Sequence, residues 1–261
     1  MLNNYPDSFA LVQIHWNDGY ASSWGNARGS FYGVGGTPDG FLDGVTELSG
    51  SYQDVTLDYN RYRNAYLIRV AVSTDVTIDL GGDLLSGQTY RVQATVCIES
   101  GGTGKTMRIY VVQVLDDWPS SPAYSRYGFK QAATTQDITV AAGGCQVVTR
   151  DFTFDATSWA NQEDIRIVAW AQVPGSSWPK DVYQAATMDW PFPPAAAFND
   201  DCADAVEAVD GAYAGLTDVA TNDGSATCGS SSTSPDVWYT YTAQATGDLE
   251  VDTCGSSYNT V

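Results

Sequence analysis

The 261-residue chain sets 12 Lys plus Arg against 31 Asp plus Glu, a formal charge of −19 that repels phosphate backbones and anionic lipid headgroups. Nucleic acid and acidic membranes are therefore not expected as partners, and membrane insertion is not expected either, because no apolar run approaches the roughly 20 residues that span a bilayer. Charged residues make up only 16% of the chain, beside many Gly, Ser, Thr, Asp, Asn and Tyr, which is the mixture of short strands and tight turns rather than of a disordered acidic tail.

In chain order, the apolar run Phe9 to Trp16 predicts a strand ending in the turn Asn17-Asp18-Gly19, and Ser22 to Tyr32 a short helix broken by Gly33 to Pro38. Phe41 and Leu42 predict a short strand closed by Asp43-Gly44. Asp54 to Val70 predicts a helix, with Val55, Tyr59, Tyr62 and Tyr66 at three- and four-residue spacing. From Val76 the period changes to two, with strands expected around 76–78, 89–98, 107–115, 146–154, 164–173 and 181–187. Six or seven such strands bury two apolar faces most simply as a β-sandwich. Trp190 to Ala197 is too proline-dense for a helix or central strand and reads as a linker over 190–198. A last unit, 199–261, shows strand-like runs at 237–243 and 248–253, few for an independent core. The expected class is thus mainly β with a small α/β part: an α/β unit over 1–70, an immunoglobulin-like sandwich over 71–189, and an incomplete β-domain after the linker.

Five cysteines occur, none in a Cys-x-x-Cys pair and none near the single histidine, so metal-ligand spacing is absent. They read most simply as disulfides, Cys97 with Cys145 and Cys202 with Cys228, leaving Cys254 over; five reduced cysteines in a cytosolic protein is the competing reading.

Three stretches resemble parts of large exported bacterial proteins. Tyr5-Pro6, the run Ala10 to His15, Ala27 to Tyr32 and Gly36 to Gly44 resemble the second part of a thioredoxin-like domain of the outer-membrane-protein-related family. Val111 to Asp117, Arg150 to Phe154, Val168 to Trp170 and Val182 to Ala186 resemble its attached sandwich domain. Asn199 to Cys202, Cys228-Gly229, Pro235 to Tyr239 and Asp252 to Ser256 resemble a repeated planctomycete-type extracellular β-domain. The resemblance implies that Pro38 holds the cis-proline place, that a Cys-x-x-Cys helix belongs upstream of an internal Met1, and that the partner of Cys254 lies beyond Val261. Without that dithiol no exchange chemistry is expected of this chain, although a thiol–disulfide role of the uncut parent follows as one alternative. It also implies a location outside the cell or on its surface, with the signal peptide absent from Met1 to Asp7.

Glu99 to Thr106 ends like a phosphate loop, but Glu99 stands where the first glycine belongs and a strand follows where a helix is needed; a hairpin turn is expected instead. His15 is the only imidazole and can act as a general base if Asp18 or Asp43 orients it toward a nucleophile. Asp248, Glu250 and Asp252 alternate along one predicted strand, and Asp200, Asp201 and Asp204 cluster with Asn222-Asp223-Gly224. Oxygen donors of this kind suit Ca2+, with Asp200, Asp201 and Asp223 the candidate ligands, while an acidic strand face is equally a solvated exterior. Trp118, Trp159, Trp178 and Trp190, each beside a turn or proline, are candidates for a carbohydrate platform, against the alternative that they cover sandwich edges. The leading functional expectation is a non-catalytic secreted or cell-surface fragment that binds carbohydrate or another surface protein. The alternative is an extracellular hydrolase of esters, lactones or glycans, with or without assistance from Ca2+.

Overall fold

The computed structural model describes residues 4–5, 8–119, 126–195, 199–202, 205–208, 217, 220–222, 234–243 and 245–253. Two compact units emerge, Met1–Pro193 and Pro194–Val261.

In the first unit, helix α1 (Ser23–Tyr32) starts at Ser22, whose hydroxyl accepts from the Gly25 amide at 2.9 Å. It ends at Gly33, which takes the left-handed conformation (φ 75°) while the Val34 amide reaches back to the Gly29 carbonyl at 3.0 Å. Gly25 and Gly29, four apart, face the preceding segment: a Cβ at Gly25 would lie 2.9 Å from Ile14, and one at Gly29 would collide with the Trp16 indole. Glycine is what lets the helix backbone lie against Ile14–Trp16. That segment is an extended stretch carrying a single bridge, Gln13 to Gly128, rather than the strand its apolar run predicts.

Strands β1 (Asp39–Leu42) and β2 (Thr46–Ser49) form an antiparallel hairpin turned at Asp43-Gly44. Helix α2 (Val55–Val70) is capped by Asp54, whose carboxylate accepts from Thr56 and Leu57 amides, and carries Asp58 in its first turn and Arg69 in its last, both favourable to the helix dipole. Its buried stripe is Ala65 and Tyr66 with Tyr62 beside them, packed on Leu42 and Leu48. Val55, expected on that stripe, is 81% exposed, so the inward face is rotated from the one its spacing predicts.

The sandwich follows. β3 (Val76–Ser86), β4 (Thr89–Ile98) and β8 (Cys145–Thr153) form one antiparallel sheet in the order β3-β4-β8. β5 (Lys105–Leu115), β6 (Gly128–Ala132), β7 (Gln136–Val140), β9 (Ile165–Gln172) and β10 (Val182–Asp189) form the second, ordered β10-β9-β5-β6, with β7 pairing the first half of β5. Alternate side chains of a strand face opposite ways, and here both faces of β5 and β9 are covered. Met107, Ile109, Val111 and Leu115, with Ile165, Ile167, Ala169 and Ala171, point between the sheets onto Val92, Val96 and Phe152. Tyr110, Val112 and Val114, with Val168 and Trp170, point outward onto a second core roofed by Val12, Ile14 and Trp24. The N-terminal α/β segment is thus a third layer on the five-stranded sheet. Because β4 and β5 belong to different sheets, the Glu99–Gly104 connection is a crossover and not the expected hairpin; Asp75 ties it down by accepting from the Thr103 amide and the Lys105 ammonium. Helix α3 (Ala156–Ala160), capped by Asp155, and a 3₁₀ turn at Gln162–Asp164 join β8 to β9. Trp190 and Phe192, expected in the linker, pack on the inter-sheet core, and the Pro193 carbonyl accepts from Gly82 at 2.8 Å.

In the second unit, β11 (Val206–Ala208) and β12 (Tyr239–Tyr241) pair in parallel, and the Asn199 side chain donates to the Trp238 carbonyl at 2.9 Å. The expected strand at 248–253 is irregular instead, with Leu249 58% and Val251 77% exposed, so Asp248, Glu250 and Asp252 share no strand face.

Candidate functional site

His15 and Asp18 meet. Asn17, at φ 54°, turns the chain so that Asp18 Oδ2 lies 2.7 Å from His15 Nδ1, while Asp18 Oδ1 accepts from the Tyr20 amide at 2.8 Å. The imidazole, helped by the Tyr20 and Ala21 amides against a little desolvation, holds the Asp18 carboxyl below the usual carboxylate range. Tyr20 and Trp118 complete an aromatic corner, their rings 5.3 and 6.1 Å from the imidazole, and the Lys130 ammonium lies 4.3 Å over Trp118. His15 Nε2 is buried and meets no hydrogen-bond partner among the described residues. With its proton on Nδ1, directed at Asp18, the ring presents a lone pair at Nε2, the arrangement a general base needs. Trp118, a platform candidate in the sequence, and Tyr20, which carries no signal there, join His15 through the tertiary fold.

Asp43, the other candidate to orient His15, is engaged elsewhere: Arg69 Nε donates to its Oδ2 at 3.1 Å. The Thr37–Pro38 peptide is cis, as are those of Trp118–Pro119, Trp178–Pro179 and Trp190–Pro191. Cys97 and Cys145, directly paired across β4 and β8, form a disulfide. The Cys202–Cys228 pairing involves Cys228, which lies outside the described residues, as do Cys254 and the proposed calcium ligand Asp223. Asp200 spends its carboxylate on the Thr221 amide and hydroxyl, and no group of three or more His, Cys, Asp or Glu is arranged to hold a metal among the described residues.

The four tryptophans do not assemble into one platform. Trp159 and Trp190 meet at 5.6 Å beside Tyr90 and Phe192, Trp178 packs edge-on to Phe41, and Trp118 belongs to the His15 corner.

A second feature carries no sequence signal. A cleft of about 300 Å3 opens where the hairpin turn, the end of α2 and the starts of β3, β5 and β10 converge, lined by Asp43, Arg69, Val72, Ser73, Thr74, Asp75, Lys105, Asp181, Val182 and Tyr183. The Val182 amide donates to the Asp43 carbonyl at 2.8 Å and the Lys180 amide to Gly44 at 3.0 Å, docking the turn beside β10. Arg69 faces Asp181 at 3.6 Å as well as Asp43. The Lys105 ammonium donates to Asp75 and to the Thr103 carbonyl, and its pull, with the Thr103 amide, lowers the Asp75 carboxyl.

A two-sheet sandwich bearing an α/β layer on one outer face is the class of protein this chain forms. No family model matches it and no curated protein does. Among solved structures, HBP35 of Porphyromonas gingivalis shares the fold at 12% identity, with a TM-score of 0.56 over 70% of this chain and 64% of that one. The chain therefore spans less than two thirds of that relative. A domain of the outer membrane lipoprotein Omp28 from the same organism aligns at 13% identity over 47% of this chain and 92% of that one, with a TM-score of 0.35. The β-glucosidase DesR from Streptomyces venezuelae aligns at 18% identity over 44% and 15%, with a TM-score of 0.25. The last two superpose too loosely to bear on fold or function. No helix among the described residues is long and apolar enough to cross a membrane.

Proposed function

We propose that the chain is a non-catalytic binding module of an exported bacterial protein, displayed at the cell surface or secreted. The observation that carries this reading is the Cys97–Cys145 disulfide, since thiol pairs of this kind persist in oxidising compartments and are rare in the cytosol. The fold shared with HBP35 supports it, and so does the α1-β1-β2-α2 order of residues 23–70, which suits the second half of a thioredoxin-like unit. Binding rather than chemistry is the role assigned, with carbohydrate or another surface protein as partner and Ca2+ as a candidate stabiliser of the acidic second unit. In the native host, antibody labelling and protease shaving of intact cells are expected to detect the protein, with Cys97 and Cys145 blocked to alkylation until reductant is added. Confinement to the cytosolic fraction with both thiols alkylated directly overturns the proposal.

A hydrolase is the second reading, favoured by the His15–Asp18 pair and its unspent Nε2. Turnover of chromogenic esters, lactones or glycosides that disappears in His15→Ala, or with EDTA, would establish it in place of the first.

A further inference from the structure

We infer that the cleft between Asp43, Asp75 and Asp181 is a binding site for an organic cation: a primary ammonium or guanidinium group, carried by a small molecule or by a basic side chain of a partner protein. This deepens the binding reading above by naming the chemistry of the ligand, and it rests on that reading.

Charge comes first. The lining holds three carboxylates against two cations; Asp75, 26% exposed, lies nearly as deep as the cations, and the other two carboxylates lie further out. The Arg69 and Lys105 side chains are only 18% and 17% exposed, whereas those of Asp43 and Asp181 are 45% and 57% exposed. A ligand entering from solvent meets carboxylate oxygens before it meets either cation. Asp181 reaches Arg69 only at 3.6 Å, beyond hydrogen-bond distance, so both of its oxygens keep acceptor capacity for a new donor. An anion would instead have to displace carboxylates already bonded to Arg69 and Lys105, and to approach a chain of charge −19.

The rest of the lining suits the body of such a ligand. Val72 and Val182 offer apolar surface to an alkyl stem, and the Tyr183 ring, packed on the inter-sheet core with the Lys105 ammonium 5.7 Å from its centroid, adds an aromatic wall. The C-terminal end of α2 comes to the cleft through Arg69 and Val72, and the negative end of a helix dipole favours positive charge. A volume of about 300 Å3 lies at the small end of ligand sites, enough for one alkylammonium or alkylguanidinium group and little more.

The test is calorimetric or NMR titration of the full chain with agmatine and cadaverine, and with an acetyl-Gly-Gly-Lys-Gly-Gly-amide peptide, each beside a version whose amine is acetylated. Saturable binding of the amines is expected, abolished by acetylation. Asp181→Asn is expected to weaken it about tenfold, as is characteristic of losing one charge-assisted partner, while Asp248→Asn in the second unit leaves it unchanged. Far-UV circular dichroism checks that Asp181→Asn is folded, and Tyr183→Leu provides a second variant with the same expectation. Tighter binding of the peptide than of agmatine assigns the site to a partner protein; equal or weaker binding assigns it to small amines. The inference is overturned by no saturable signal up to about 100 mM amine, about 100-fold above a millimolar Kd, by binding that both variants leave intact, or by butyrate or sulfate binding in preference to amines. A chain found at the cell surface that ignores every amine refutes the cleft and leaves the surface reading standing; one that binds amines but stays in the cytosol does the reverse.

Discussion

Arg28 is the buried charge on which the seam between the α/β layer and the sandwich depends. It is 6% exposed, yet its hydrogen bonds run to neutral groups: Tyr32 Oη at 2.7 Å, Tyr110 Oη at 3.1 Å and Gln172 Oε1 at 3.2 Å. Its guanidinium carbon lies 4.5 Å from the Phe31 ring centroid and 4.7 Å from those of Tyr32 and Tyr110. Cutting it back to Ala strands buried Tyr110 and Gln172 and half-buried Tyr32 at about 1 kcal/mol each, and adds the lost ring contacts at about 0.5–2 kcal/mol. Arg28→Ala is therefore expected to cost about 3–5 kcal/mol, in the range reserved for broken buried networks. Arg28→Met refills the volume without a charge to desolvate and is expected to recover about 1–2 kcal/mol of that loss. Urea unfolding of the full chain, followed by tryptophan fluorescence and far-UV circular dichroism, reads both, since Trp24 and Trp170 flank the site. If Arg28→Ala falls within about 0.5 kcal/mol of wild type, or Arg28→Met is the more stable protein, desolvation outweighs the network and the reasoning fails.

Three further outcomes are expected. Replacing Cys97 and Cys145 together by Ser frees a loop of sequence separation 48 in the unfolded chain, which by loop-closure entropy costs about 4 kcal/mol; a loss under about 1 kcal/mol in the urea midpoint would deny the disulfide that role. Stability is expected to fall as the solution is acidified below the ordinary carboxylate value. Burial pulls Asp116 up, but the Arg126 guanidinium and the Tyr127 and Asp117 amides outweigh it; Asp137 and Asp151 are held down by Arg108 and Arg91. A carboxyl whose folded value lies below its unfolded one contributes fully above the unfolded value and loses that contribution as pH drops through the folded one. Asp116→Asn should flatten the acid limb of the urea midpoint against pH, with Asp39 and Asp164, raised by burial, acting in the opposite sense; an unchanged limb contradicts this. Gly44→Ala places a Cβ against the Lys180 carbonyl at a residue with φ 70°, so it should cost at least about 1–3 kcal/mol and loosen the cleft, visible as faster amide exchange at Lys180 and Val182.

How far the sequence reveals this molecule depends on whether the signal is local. Helix α2 announces itself through Tyr59, Tyr62 and Tyr66 at three- and four-residue spacing, and β4, β5 and β9 through apolar residues at period two or in unbroken runs. The turn at Asn17-Asp18-Gly19 is legible too, but the sequence offers Asp18 and Asp43 alike as partners of His15, and only the fold brings Asp18 to it. Where burial is decided by a distant partner the reading slips. Ala10, Val12 and Ile14 are apolar because they roof Val112 and Trp170, and Phe9 because it packs on Tyr66, yet apolar runs look like strands whether or not they join a ladder. Gly25 and Gly29 carry no signal of their own inside the predicted helix, although they are what allows its close approach to Ile14 and Trp16. The cleft is the extreme case, since Asp43, Arg69, Lys105 and Asp181 are far apart in sequence and nothing local joins them: Asp43 reads as a partner for His15 and Lys105 as part of a turn.

The alternation on β5 and β9 sets a last expectation. An apolar run buried on one face alone would leave the first seventy residues free to be a separate domain, as the period change near Val76 suggests. Instead Tyr110, Val112, Val114, Phe129, Val168 and Trp170 form an outward core whose cover comes largely from Val12, Ile14 and Trp24, with Trp24 stacked on Phe129 at 4.5 Å. Removing residues 1–70 uncovers that face and also leaves Tyr110 and Gln172 without Arg28. Contiguous apolar surface of this extent is an association site in water. A chain beginning at residue 71 is accordingly expected to self-associate or bind a hydrophobic dye while the full chain does neither, measured by light scattering and dye fluorescence at matched concentration. A monomeric, dye-silent fragment that unfolds as cooperatively as the full chain would show that the sandwich needs no third layer, and that the α/β segment merely rests on it.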